Sequence, residues 1–371
     1  MTQGHEANVL FDKVVETVEK LLAPQGASSA ADFARAWLGS VDAQEFTGID
    51  TAELAAAVAG HWALLQDFRP GQTALRVFDP QTEENGWTSP HTVVAVVTDS
   101  MPFLADSLTM EVGRRGLTLH RMVHATLQVR RDEDGSLRGV VAAEGTGVRQ
   151  ESVLYLEVDR LPDAAAREAL AAALEQVLGE VRAAVEDWPA MRKRVEEIAA
   201  EIGRNAPSGM SGEVDEARAL LEWLLDGNFV MLGCRDQVLS GEGEAAQLDI
   251  VPGSGLGVLR DSGKEAVSRA FAALPAEVRA HAHDPVVMTV AQSTSRSTGP
   301  RSGYLDYISV RLFDDQGKVC GERRLMGLFA ATAYSANPWN IPVLRNKVAE
   351  VTARAELAPT SPAAKALRVV L

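Results

Sequence analysis

Residues 93–124, VVAVVTDSMPFLADSLTMEVGRRGLTLHRMVH, narrow the fold more than any other stretch, because each transition within them is punctuated. Val93 to Val97 is an apolar run of strand length. Pro102 falls where the first turn of a helix tolerates a missing N–H. Leu104, Leu108 and Val112 then recur on one helical face, Arg114 and Arg115 suit the negative end of the helix dipole, and Gly116 supplies a left-handed closing residue. A strand resumes at Leu117. The stretch is a strand, turn, helix, strand unit that carries Asp99, Asp106 and Glu111 around its helix. Whether those acids are catalytic, ligand-binding or structural is the first functional question.

The flanking sequence sets this unit in a larger plan. Val9, Leu10, Val14, Val18, Leu21 and Leu22 recur at helical steps until Pro24 and Gly26. A second short helix is predicted over about 29–38. A third opens at Asp50, where Asp-Thr-Ala-Glu has capping-box spacing, and runs to Pro70-Gly71. From TALRVFDP (73–80) the period becomes two, which predicts a strand ahead of Val93. The alternating strand Leu117 to Arg131 closes at DEDG (132–135) and is answered by LRGVVAA and SVLYLEVD, after which Leu170, Leu174, Leu178, Val181 and Val185 mark a helix. This order predicts an α+β sandwich, an antiparallel sheet with helices on one face.

A charged helix is predicted from Met191 to Asn205, and NAPSGMSG (205–212) is the strongest break in the chain. Beyond it come a helix through Leu220, Leu221 and Leu224, two strands, a helix near Lys264 to Leu274, and three strands, the last two joined by DDQG (314–317). An amphipathic helix is predicted over Pro338 to Glu356, and the chain stops mid-pattern at KALRVVL, which reads as a truncation. The expected organisation is a helical lobe at 1–71, a sandwich at 72–190, a helical linker at 191–212, a second α+β domain at 213–335 and a C-terminal helix at 336–371.

A net charge of −15 repels phosphate backbones and anionic lipid, so neither nucleic acid nor a membrane is an expected partner. The N-terminus lacks a signal-peptide pattern, and Cys234 and Cys320 form no CxxC pair; a reducing, cytoplasmic setting is expected.

No motif in the chain supplies chemistry. Ser, Met and Phe separate Asp99 from Asp106 where a proton relay needs polar partners, and an acid at a helix start suits the dipole without any catalytic role. PGSGLG (252–257) places Val258 where a dinucleotide fingerprint has its third glycine, so it reads as a loop. Ser262-Gly263-Lys264 lacks the remaining features of a P-loop. His120 and His124 share a strand face about 13 Å apart, too far for one metal. No catalytic, cofactor-binding or metal-binding residue is therefore assigned. The loop STSRSTGPRS (293–302) offers Arg296 and Arg301 as a candidate anion site, and GERR (321–324) sends two arginines to opposite faces of a strand.

Three segments, TDSMPFLADSLTMEVGRRGLTLHRMVHATLQVRRDEDG, RSTGPRSGYLDYISVRLFDDQGKVCGERRLMGLFAATAY and IPVLRNKVAEVTARAELAPTSPAAKALRVVL, resemble the N-terminal part of the large bacterial NAD-specific glutamate dehydrogenases. The resemblance covers nearly all of the chain from about residue 72. One departure is Ala125, where the family often has proline. The resemblance implies an ACT-like domain followed by a PAS-like domain, whose strand order the second half also fits. It implies that NAD and the catalytic lysine belong to a downstream catalytic region of the same polypeptide, so that the present residues hold no cofactor. It implies an amino-acid effector seated at Thr98, Asp99, Ser100 and Met101, where ACT domains place ligands against a helix N-terminus, and a homo-oligomer paired through sheet edges within 117–160. The expected role is a non-catalytic regulatory and assembly region. The alternative is a stand-alone ACT/PAS amino-acid sensor acting on a separate partner.

Overall fold

The computed structural model describes residues 2–22, 27–41, 46, 48–142, 145–260, 269–272, 279, 281–296 and 304–354. The chain divides between Gly179 and Glu180 into two compact units.

The first unit opens with α1 (Thr2–Leu22), α2 (Ala27–Leu38) and α3 (Thr51–Asp67). The helix stop expected at Pro24 and Gly26 lies outside the described residues. The cap of α3 is as expected: Asp50 Oδ1 accepts from the N–H groups of Ala52 at 2.8 Å and Glu53 at 3.3 Å. Then follow β1 (Thr73–Phe78), the single turn α4 (Thr82–Asn85), β2 (Thr92–Asp99), α5 (Leu104–Arg114), β3 (Leu119–Arg131), β4 (Leu137–Val140), β5 (Val148–Val158) and α6 (Ala164–Glu201). The sheet order is β1-β2-β5-β3-β4, antiparallel throughout. Because β5 lies between β2 and β3, the β2–α5–β3 unit is a split one. The DEDG hairpin forms as read: Asp132 N–H donates to Ser136 O, and Gly135 takes φ 83°.

The sheet is buried on both faces, which corrects the expectation of helices on one face only. Val93, Ala95, Val97, Val123, Ala125 and Val153 form one core with Val18, Phe33, Trp37, Val58, Trp62 and Leu65 of the helical lobe. The alternate residues Val94, Val96, Leu154 and Leu156 are equally buried from the other side. There, Thr109 of α5 sets its hydroxyl 3.6 Å from Met122 Sδ on β3. The apolar stripe of α6, Leu170, Leu174 and Leu178, is buried and takes no part in the lobe's core. Each such side chain contributes about 1.5–3 kcal/mol of burial, which is why a strand as uniformly apolar as β2 recruits cover on both sides.

Among the described residues of 117–160, β3 and β5 are interior strands and β4 is an edge of the sheet. A bidentate ion pair ties lobe to sheet. Arg131 Nε and Nη2 reach Glu151 Oε1 and Oε2 at 2.7 and 2.8 Å, with side chains 1% and 0% exposed. The same guanidinium donates to Leu65 O (2.8 Å) and Phe68 O (3.1 Å) at the end of α3 and to Gly135 O (2.9 Å) in the hairpin.

The second unit contains the rest of α6, α7 (Ser211–Trp223), β6 (Phe229–Ser240), β7 (Gln247–Ile250), β8 (Leu256–Gly257), α8 (Arg269–Ala272), β9 (Met288–Arg296), β10 (Tyr304–Phe313), β11 (Val319–Phe329), α9 (Ala331–Ser335) and α10 (Leu344–Arg354). Its antiparallel sheet runs β7-β6-β11-β10-β9, with β8 paired to β6. Met191, Val195 and Ile198 of α6 and Leu220 and Leu221 of α7 pack with Cys234, Ile308, Val310 and Leu325 of the sheet. The helix expected through Leu170 to Val185 and the one expected from Met191 to Asn205 are one helix that continues through Pro189 and ends at Glu201. The last helix starts later than expected: a 3-10 turn occupies Pro338–Asn340, α10 starts at Leu344, and the expected end at Glu356 lies outside the described residues.

Candidate functional site

The turn after β2 was singled out by sequence, and its four residues have distinct environments. Thr98 is fully buried within β2, its hydroxyl 3.5 Å from Gln72 O. Asp99 ends the strand. Its Oδ2 accepts from Gly71 N–H at 2.8 Å and its Oδ1 from Arg149 Nη2 at 3.2 Å. Ser100 N–H donates to Gln150 O at 3.0 Å, and Met101 is half-buried. The turn is thus laced to the loop before β1 and to β5.

The helix starts later than sequence reasoning placed it. Pro102 is not in its first turn; Phe103 is the N-cap, in a left-handed conformation (φ 71°, ψ 0°), and α5 begins at Leu104. A left-handed residue cannot sit inside a right-handed helix, so the chain reverses at Phe103 before the helix begins. The first helical bond runs from Ser107 N–H to Phe103 O at 2.9 Å, and no side chain caps the end. The N–H groups without an upstream helical carbonyl therefore belong to Leu104, Ala105 and Asp106. Phenylalanine in this region is uncommon and strained, a feature that clusters at functional turns.

The remaining acid has a structural occupation. Glu111 is buried and gathers Arg114 (2.7 and 2.8 Å) and Arg115 (2.8 Å). Burial raises its pKa, but the hydrogen bonds and charges of the two guanidiniums outweigh that, and the carboxyl titrates below its ordinary range. Asp106, in the first turn of α5, suits the dipole.

The histidines do not converge. His120 pairs with Asp159 Oδ1 at 2.7 Å and stacks on His91 at 3.9 Å between ring centroids, whereas His124 sits 3.1 Å from Ser152 Oγ, with burial lowering its pKa. Among the described residues no group of three or more His, Cys, Asp or Glu is placed to hold a metal ion. Of the glycines of PGSGLG, Gly257 serves packing. Gly257 takes φ 61°, a Cβ there would meet Leu232 O at 2.1 Å, and its N–H donates to Asp187 Oδ2 at 2.7 Å. Of the candidate anion pair, Arg301 lies outside the described residues and Arg296, the last residue of β9, is described in its backbone alone.

Two polar clusters escaped the sequence reading. On the second sheet, buried Glu322 accepts from Tyr307 OH (2.7 Å), Ser309 Oγ (2.6 Å), Arg311 Nη1 (2.8 Å) and Arg324 Nη2 (2.8 Å). Burial raises its pKa, but the charges and hydrogen bonds of Arg324, Ser309, Arg311 and Tyr307 outweigh that and hold it below the ordinary carboxylate value, so it stays ionised. Arg323, on the opposite face as expected, reaches Glu201 at 2.8 Å. The second cluster is on the first sheet, where Arg121 and Glu157 stand opposite each other on β3 and β5, 2.9 Å apart, with Tyr155 OH donating to the same carboxylate. The visible signal for both was polar residues at alternate positions in otherwise apolar strands, such as Tyr307, Ser309 and Arg311.

A split β–α–β sandwich with an uncapped helix start beside the end of its interior strand β2 defines the first unit as an ACT-type α+β domain. Residues 33–174 match the family model described as glutamate dehydrogenase, ACT1 domain. The chain is 34% identical over 365 residues to the NAD-specific glutamate dehydrogenase of Halomonas elongata, an alignment covering 98% of this chain and 23% of that protein. It is 34% identical over 324 residues to the NAD-specific glutamate dehydrogenase of Pseudomonas aeruginosa, covering 87% and 20%, and 27% identical over 323 residues to that of Mycobacterium tuberculosis, covering 85% and 18%. The chain is an ACT-domain-containing segment homologous to the NAD-specific glutamate dehydrogenases, and it spans between 18% and 23% of the length of these curated relatives. No described helix is long and apolar enough to cross a membrane.

Proposed function

We propose that this chain is a non-catalytic regulatory and assembly region of an NAD-dependent glutamate dehydrogenase. The parent reaction is L-glutamate, NAD and water to 2-oxoglutarate, ammonia and NADH, with NAD and the reacting groups held by a downstream catalytic region of the same polypeptide. The observation that carries the proposal is the 98% coverage of this chain by a relative of which it spans 23%, joined to the ACT1 match at 33–174. The proposed organisation keeps a helical lobe at 1–71, an ACT-like domain at 72–190, a helical linker at 191–212, a PAS-like domain at 213–335 and a C-terminal helix at 336–371. The five-strand order of the second sheet supports the PAS-like reading. Arg296 and Arg301 stay a candidate anion site of that domain.

The proposed effector seat is Thr98, Asp99, Ser100 and Met101. An amino-acid carboxylate would meet the N–H groups at the start of α5, while its ammonium shares the Asp99 carboxylate with Gly71 N–H and Arg149. A ligand at a hundredfold excess over its Kd stabilises the folded state by about 2.7 kcal/mol, a melting shift of several degrees. A thermal screen across the amino acids and 2-oxoglutarate tests the reading. The expected result is a shift in the wild type that Asp99→Ala removes; a screen that moves nothing, or moves both proteins equally, contradicts it. Self-association of the chain is proposed as well, and light scattering showing a monomer at high concentration refutes that part.

A further inference from the structure

A second site lies away from the turn, at the end of the sheet surface that faces the helical lobe. A cavity of about 340 Å³ opens there, small within the ~300–1,000 Å³ range of ligand pockets. Its walls are Trp37 of α2, Phe46, Trp87 and Tyr155, all buried. Arg121 and Glu157 form its polar end, and Glu53 of α3 stands at the lining as well.

The hydrogen bonding of that polar end is one-sided. Arg121 Nη1 and Tyr155 OH both donate to Glu157 Oε1, and Oε2 takes no hydrogen bond among the described residues. Burial and then the neighbouring Glu157 charge push the Tyr155 pKa well above its ordinary value, which keeps its proton in place as a donor. The guanidinium carbon of Arg121 stands 5.0 Å from the centroid of the Phe46 ring, within cation–π range. Only one of the five N–H groups a guanidinium carries is given to Glu157 in this arrangement.

The cavity therefore presents a guanidinium and a carboxylate oxygen side by side, below an aromatic wall. A ligand with only a carboxylate meets repulsion from Glu157, and one with only an ammonium meets repulsion from Arg121. A zwitterion satisfies both, and the wall takes an apolar side chain. We propose that this cavity binds a free α-amino acid with an apolar or aromatic side chain, its carboxylate on the Arg121 guanidinium and its ammonium on Glu157 Oε2. The site shares no residue with the turn at Thr98–Met101 and stands or falls independently of it.

L-Phenylalanine is the probe, titrated into the full 371-residue chain by calorimetry and by the emission of the tryptophans, of which Trp37 and Trp87 line the cavity. Saturable binding with a Kd of about 1 mM or tighter is expected, with phenethylamine and 3-phenylpropionate each at least about tenfold weaker. Arg121→Gln and Glu157→Gln should each weaken phenylalanine at least about tenfold. Because either change removes a buried pair, Ile49→Trp serves as the second variant: it fills the cavity without touching the pair and should abolish binding. Near-ultraviolet circular dichroism confirms that each variant is folded. Absence of saturation by phenylalanine or leucine, equal binding of the singly charged analogues, or unchanged binding in folded Arg121→Gln and Ile49→Trp overturns the proposal.

Discussion

Replacing Arg131 with methionine should destabilise the first unit by about 3–5 kcal/mol, the cost of leaving one member of a buried ion pair without its partner. The size follows from the geometry. Glu151 is completely enclosed and loses both arms of its bidentate pair at 2.7 and 2.8 Å. Leu65 O, Phe68 O and Gly135 O each lose the bond from Arg131, Phe68 O keeping Arg69 Nη1 at 3.0 Å. For a unit of this size each kcal/mol moves the melting temperature by about 2–4 °C, so Arg131→Met should melt about 6–20 °C lower. The double variant Arg131→Met, Glu151→Leu removes the stranded charge together with its partner and should recover a large part of the loss. Differential scanning calorimetry on wild type, both single variants and the double variant reads all of this. A single-variant loss within about 1 kcal/mol, as for an exposed pair, would refute the view that this guanidinium locks lobe to sheet.

Gly257→Ala should cost at least about 2 kcal/mol, since it combines a left-handed backbone with a Cβ driven into Leu232 O, and denaturant unfolding of the second unit measures it. His61 supplies a pH test: burial, only partly offset by the bond from its Nδ1 to Ala57 O, lowers its pKa from 6.5 to about 4. The folded state thus resists protonation more than the unfolded state, and stability present above pH about 6.5 is lost as pH falls towards about 4, by about 3 kcal/mol in all. Relative to wild type, His61→Phe should gain stability on acidification across that window, and parallel melting curves at every pH would contradict the assignment.

What sequence revealed and what it hid divide along physical lines. Local chemistry was legible: the Asp50 cap, and the DEDG and DDQG turns, whose glycines take φ 83° and 76° because only glycine does so freely. The left-handed Phe103 was hidden, since nothing in MPFL marks phenylalanine as the residue that reverses the chain, and Pro102 fits a first helical turn equally well. The helices read on either side of Pro189 are one, since α6 passes through it, held beyond it by Met191, Val195 and Ile198 in a core. The uniform apolarity of TVVAVVT did carry the sign of two-sided burial; what it could not name was the helical lobe as the second cover. The Arg131–Glu151 and Arg121–Glu157 pairs depend on strand register, and a slip of one residue would send the partners to opposite faces. The turn at Thr98–Met101 was legible in the residues, its proposed role as an effector seat came from resemblance alone, and the aromatic cavity draws on α2, α3 and two strands and has no sequence signature.

The central claim is that these residues regulate and assemble an enzyme whose chemistry lies elsewhere in the polypeptide. The most direct measurement is glutamate-dependent NADH formation by the purified 371-residue chain, beside the polypeptide expressed from the whole reading frame. No turnover is expected from the chain, and turnover is expected from the longer polypeptide. Turnover by the chain alone, or a reading frame that ends at Leu371, would contradict it.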